Sequence, residues 1–160
     1  MTNASKENTV GTKKGFTIIE ILLAIGILAI LATAVIIAIN PARQFAEARN
    51  SQRWSDVNAL MNATYQYAVG HKGALPSSIP TSGNGLTEIC MTGTVDCSGL
   101  SDMVTLTANS SYLTAMPVDP ACPDSCSLNG TGYLITLTTD GRVQIMASHA
   151  ELGETIELVR

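Results

Sequence analysis

The sequence predicts an α+β fold in which a long, kinked N-terminal helix packs against a small C-terminal antiparallel sheet. Three observations lead there. Residues 21–42 form a run of 22 residues without a charge. Trp54, Val57, Met61, Thr64 or Tyr65, and Ala68 then recur at spacings of three and four, the stripe of an amphipathic helix. Near the end, residues 132–138 and 142–148 alternate in part and flank Asp140-Gly141, a hairpin signal.

The apolar run comes first. Within residues 21–39 only Gly26 and Thr33 are not plainly hydrophobic. Nineteen residues of helix extend about 28 Å, close to the roughly 30 Å hydrocarbon core of a bilayer. A helix spans because it satisfies its own backbone hydrogen bonds in lipid. Lys13 and Lys14 precede the run and would hold the N-terminus in the cytoplasm, with the remaining 120 or so residues outside. On these features alone three readings stand open: a specialised signal, a plain membrane anchor, or a secretory peptide cut after Ala34 in an A-x-A context.

The helical pattern continues past the membrane. Asn40-Pro41 interrupts it, and a proline inside a helix kinks it. Arg49, Arg53 and Asp56 fall off the apolar stripe, and Arg43 and Glu47 form an i,i+4 pair. Gly70 and Lys72-Gly73 supply the stop. Residues 17–69 then make about 80 Å of kinked helix.

Directly before the apolar run stands Lys13-Lys14-Gly15-Phe16-Thr17-Ile18-Ile19-Glu20. This segment resembles the leader of type IV pilins and of the pseudopilins of type II secretion. The resemblance implies a prepilin peptidase that cuts between Gly15 and Phe16 and methylates the Phe16 amine. Residues 1–15 would then be a removed leader, 16–39 a transmembrane and filament-core helix, 40–70 its amphipathic continuation, and 71–160 the extracytoplasmic domain. Glu20 is a costly carboxylate at the edge of a membrane span, and such groups usually have a partner. The family's partner is the freed Phe16 amine of a neighbouring subunit. Pro41 falls a few residues later than the helix proline of familiar pilins, and the leader is longer than the shortest ones.

Residues 73–111 shift to Gly, Ser, Thr and Asn, a loop-rich connection with short strands expected at 86–91 and 104–106. The Tyr112 to Pro120 segment is similar to the stretch before the last strands in many pilins and major pseudopilins. Residues 155–159 add a third strand to the hairpin. All four cysteines, Cys90, Cys97, Cys122 and Cys126, lie in the outer domain, where an even number reads as disulfides. Of three connectivities, the local pairs Cys90–Cys97 and Cys122–Cys126 close the shortest loops, and the spacings do not match a C-x2-C zinc knuckle.

Chemistry has little to work with. His71 and His149 are the only histidines, and no catalytic constellation surrounds either. Asp119 and Asp124 flank Cys122 and are the only calcium candidates, two hard oxygen ligands where a site needs more. No cofactor is expected. The whole chain carries −4, and without residues 1–15 it carries −6, with six basic and twelve acidic groups. Such a surface argues against nucleic-acid binding by the isolated subunit.

The sequence thus predicts a structural subunit and no enzyme. It would be single-pass in the cytoplasmic membrane before assembly, then part of a cell-surface or periplasmic filament. The resemblance implies as partners further copies of itself, the prepilin peptidase, an assembly ATPase and a platform protein. A pseudopilin is the alternative within the class. From another class, the alternative is a secreted or anchored binding domain that does not polymerise.

Overall fold

The computed structural model describes residues 15–81, 85–94 and 96–160. The chain is α+β and divides into two compact units, with the boundary between Pro41 and Ala42. Helix α1 spans Ile18–Ile39 and helix α2 spans Pro41–Gly70. Strands β1 (Thr87–Cys90), β2 (Gly130–Leu137), β3 (Val143–Ala147) and β4 (Ile156–Val159) follow. They form one antiparallel sheet in the order β1-β2-β3-β4.

The interruption expected at Pro41 is a break at Asn40, which adopts the left-handed conformation with φ 50° and ψ 79°. Pro41 opens α2 instead of sitting inside a helix. A proline suits a first helical position, because the N–H it lacks would have no helical partner there and its φ is already fixed. At the other end the expected stop is present. Lys72 and Gly73 have positive φ of 58° and 88°, and the Gly73 N–H returns to the Ala68 carbonyl at 2.8 Å. A left-handed residue after the last turn closes the helix by satisfying its orphan carbonyls.

Within the second unit α2 packs on the sheet. Val57, Leu60, Met61 and Ala63 join Tyr133, Ile135, Val143, Ile145 and Ile156 in one core with Ile89, Met103, Leu106 and Met116. Each large aliphatic side chain buried here contributes about 1.5–3 kcal/mol. Strand β3 shows the alternation directly: Val143, Ile145 and Ala147 are buried while Gln144 and Met146 are half-buried. The hairpin forms at Asp140-Gly141, with Gly141 at φ 76° and the Thr138 N–H bonded to the Arg142 carbonyl at 2.8 Å.

The strand expected at 86–91 is present as β1, and by pairing with β2 it makes the sheet four-stranded where the hairpin and β4 alone would give three. One expectation needs correction. Residues 104–106 form no strand; Val104–Thr107 is a single helical turn, α3, that buries Leu106. The Asp102 carboxylate accepts the Val104 N–H at 3.0 Å, a local bond that favours the turn over extension.

The β1–β2 register slips between Glu88 and Cys90. Glu88 explains it, since its carboxylate accepts the Gly132 N–H at 2.7 Å and the Ser127 N–H at 3.2 Å. That carboxylate occupies the space a side chain at Gly130 would need, within 2.2 Å of an added Cβ.

Candidate functional site

The N-terminal segment builds its site from local chemistry. Thr17 is the N-cap of α1, with extended φ −84° and ψ 151°, and its hydroxyl accepts the Glu20 N–H at 3.3 Å. The Thr-x-x-Glu spacing is that of a capping box. Glu20 therefore stands in the first turn of the helix, where the positive end of the helix dipole favours a carboxylate. Phe16 is 81% exposed and Gly15 is exposed beside it. A Cβ added at Gly15 would meet nothing within 4 Å, so folding makes no demand for glycine there. Lys13 and Lys14 lie outside the described residues.

Helix α1 then presents apolar side chains all round. Residues Ile18–Ile37 have a mean hydropathy of 2.7, and none of this span is buried within the protein. A helix that is apolar on every side needs an apolar environment around it. Thr33, its one hydroxyl-bearing residue, donates to the Ala29 carbonyl at 2.9 Å and so presents no unsatisfied donor.

A second set of polar groups centres on Arg53 of α2. Arg53, expected off the apolar stripe, is 1% exposed, whereas Trp54, expected on it, is 39% exposed. The buried line of α2 runs through Ala46, Asn50, Arg53, Val57 and Leu60, at spacings of three and four. The periodicity was there to be read, but an arginine in an apolar frame suggests solvent. Arg53 donates from Nε and Nη2 to the two oxygens of Asp119 at 2.7 and 3.0 Å. Its Nη1 reaches Glu151 at 3.0 Å and Asn50 at 2.9 Å. Arg49 grips Glu151 through two bonds of 2.7 and 2.6 Å, and Asn50 bonds the Glu151 backbone on both sides.

This network sets the charge states. Arg49 first, and then Arg53, hold the Glu151 carboxyl down at about 2. Asp119 chiefly raises the Arg53 guanidinium above its ordinary range. Next to it, the Tyr133 hydroxyl donates to Asp56 at 2.7 Å. Burial pushes both of these groups up, and Asp56 adds to the rise at Tyr133. Asp56, off the apolar stripe of the sequence pattern, is thus half-buried and bonded. The arrangement is a clasp between α2 and two loops, with every buried side-chain polar atom of the described residues satisfied.

The calcium candidates do not form a ligand set. Asp119 gives both oxygens to Arg53 and one also to the Ala121 N–H at 2.7 Å, while Asp124 is exposed. Both oxygens of Asp119 are therefore engaged within the protein. Among the described residues no three His, Cys, Asp or Glu side chains converge as metal ligands. His71 bonds the Tyr67 carbonyl through Nδ1 at 2.8 Å and stacks on the Tyr67 ring, and His149 Nδ1 lies 3.1 Å from the Ser148 hydroxyl. Disulfides join Cys90 to Cys97 and Cys122 to Cys126. The second lies against Gly132, whose φ of +81° and crowded surroundings exclude a side chain.

The N-terminal geometry therefore stands apart: a capped apolar helix, an acidic residue in its first turn, and an unencumbered glycine before it. The sequence model of the prokaryotic N-terminal methylation motif matches residues 11–36. This is the type IV pilin and pseudopilin leader signature. No curated protein and no solved structure matches the chain. The leader signature supports a pilin-like or pseudopilin subunit and points to a structural role over catalysis. Together with the apolar helix it points to a single-pass, membrane-anchored protein.

Proposed function

We propose that this protein is a type IV pilus-like filament subunit, cut between Gly15 and Phe16 and methylated at the Phe16 amine. The observation that carries the reading is the methylation motif at residues 11–36, lying on an unburied apolar helix that starts at Ile18. Before assembly the chain sits in the cytoplasmic membrane with its N-terminus inside. Residues 16–39 are the span, 40–70 the helical continuation and 71–160 the extracytoplasmic domain. The prepilin peptidase removes residues 1–15. An assembly ATPase and a platform protein then drive the α1 helices out of lipid and into a filament core.

Glu20 supplies register in this reading. In a medium of low dielectric a carboxylate and an ammonium attract strongly, so a subunit docks where its Glu20 meets the Phe16 amine of a neighbour. Glu20 sits in the first turn of α1, and Phe16 precedes the cap by one residue. An intramembrane charge without such a partner would be costly. Gly15 fits the role of a cleavage residue, because a side chain there would meet nothing within 4 Å and the fold does not require the glycine.

The test is intact-mass and N-terminal peptide analysis of the protein purified from membranes of its host. A chain that begins at methylated Phe16 supports the reading. A chain that begins at Val35 makes it a secreted domain, and an uncut chain makes it a plain membrane anchor.

A further inference from the structure

The two ends of strand β2 carry unlike surfaces. The strand runs from Gly130 to Leu137, about 23 Å at 3.3 Å per residue. At its Gly130 end lies the Cys122–Cys126 loop, where Leu128 protrudes with 89% of its surface exposed. A groove of about 430 Å³ opens beside it, lined by Met91, Val118 and Pro123. At the Leu137 end lie the β2–β3 hairpin and the last turn of α2, where Val69 is 85% exposed. Tyr65, Ala68, Val69, Leu75 and Gly141 line a groove of about 480 Å³ there.

Charge divides the same way. The Leu128 end exposes Asp96, Asp124 and Glu154, while the cations of the adjoining end of α2, Arg43, Arg49 and Arg53, are paired with Glu47, Glu151 and Asp119. Asp96 is fixed there because its carbonyl accepts from the Asn129 amide at 2.9 Å. The Val69 end exposes Lys72, Arg142 and Arg160 against Asp140, which lies 3.4 Å from Arg142. One end is apolar with an acidic rim, and the other is apolar with a basic rim.

We propose that these ends dock on each other in successive copies of the chain, Leu128 of one entering the Tyr65–Val69–Leu75 groove of the next. The occupant is a second copy because the chain itself supplies both halves of a match in polarity and charge. Contact between unlike ends is heterologous, so each added copy leaves one free end of each kind and the array extends without closing. This inference rests on the filament reading and adds to it a contact between outer domains, separate from α1. Opposite rims steer the ends together and reject like ends, an effect that salt weakens.

The test places a photo-crosslinking residue at position 128 of the full chain in its host, with the adduct located by peptide mass analysis of assembled material. Leu128 is exposed, so the replacement leaves the core untouched. An adduct on residues 65–75 or on Gly141 of another copy is expected. Asp124→Lys should lower its yield about tenfold, and Lys72→Asp in the opposing copy should restore it. Assembled material with the adduct elsewhere, or on a different protein, overturns the docking while leaving the filament reading intact. Absence of any polymer from the unaltered chain overturns both.

Discussion

Arg53 and Asp119 face each other across 66 residues of sequence through two hydrogen bonds of 2.7 and 3.0 Å, with side chains 1% and 0% exposed. The pair fixes the loop that leads into the Cys122–Cys126 disulfide against the middle of α2. The Cys122 N–H bonds the Asp119 carbonyl at 2.9 Å, so the carboxylate and the disulfide belong to one turn. Removing one partner strands a charge in a dry place. Arg53→Ala or Asp119→Ala should each cost about 3–5 kcal/mol. Arg53→Met with Asp119→Leu should cost far less, because no unpaired charge remains. Denaturant unfolding of the purified chain reads the difference.

Gly93 and Gly132 share a φ of +81° but not their surroundings. A Cβ at Gly93 would meet nothing within 4 Å, whereas one at Gly132 would lie 2.7 Å from Asp119 Cβ and 3.0 and 3.1 Å from the sulfurs of Cys126 and Cys122. Gly93→Ala should cost about 1 kcal/mol, the strain of a left-handed alanine. Gly132→Ala should cost clearly more, since the disulfide turn must also move. The melting temperatures of the two variants, compared with the parent, test the order.

Acid should loosen the clasp in a defined window. Arg49 and Arg53 hold Glu151 at about 2, below its ordinary value of 4.5. A carboxylate depressed in the folded state contributes stability that is present above the unfolded value and lost as pH falls through the folded one. Stability should therefore decline between about pH 5 and 2, and Glu151→Gln should flatten that part of the profile. Unfolding midpoints measured across this range check it.

Under the proposed cleavage, Gly15 separates processing from folding. Nothing within 4 Å would oppose a side chain there, so Gly15→Val should leave unfolding of the Ala42–Arg160 unit within about 0.5 kcal/mol of the parent. The same change should abolish the fragment that begins at Phe16, as seen by N-terminal mass analysis. Glu20→Ala should show the reverse pattern: a chain still cut at Phe16, and little assembled filament.

Legibility followed the distance over which the deciding contacts act. The stretch from Thr17 to Ile39 could be read because its cap, its first-turn acid and its apolar run are contiguous. The hairpin at Asp140-Gly141 was equally local. The first strand was weaker: Thr87–Cys90 has four residues, and its pairing with β2 depends on a carboxylate that caps a loop 40 residues away. The run of Val, Thr and Leu at Val104–Thr107 favours extension by local propensity, and the turn forms where the Asp102 carboxylate accepts the Val104 N–H.

By itself the sequence determined where the apolar helix begins, where its leader signature lies and that the chain is α+β. These depend on neighbours along the chain, through periodicity, capping and uninterrupted hydrophobicity. Only the tertiary structure decided that Arg53 turns inward, that Asp119 pairs with it, and that Glu151 joins them from the β3–β4 loop. A buried charge is tolerated only when its counter-charge arrives in register. That register is set by the packing of α2 on the sheet, which no short window of sequence contains.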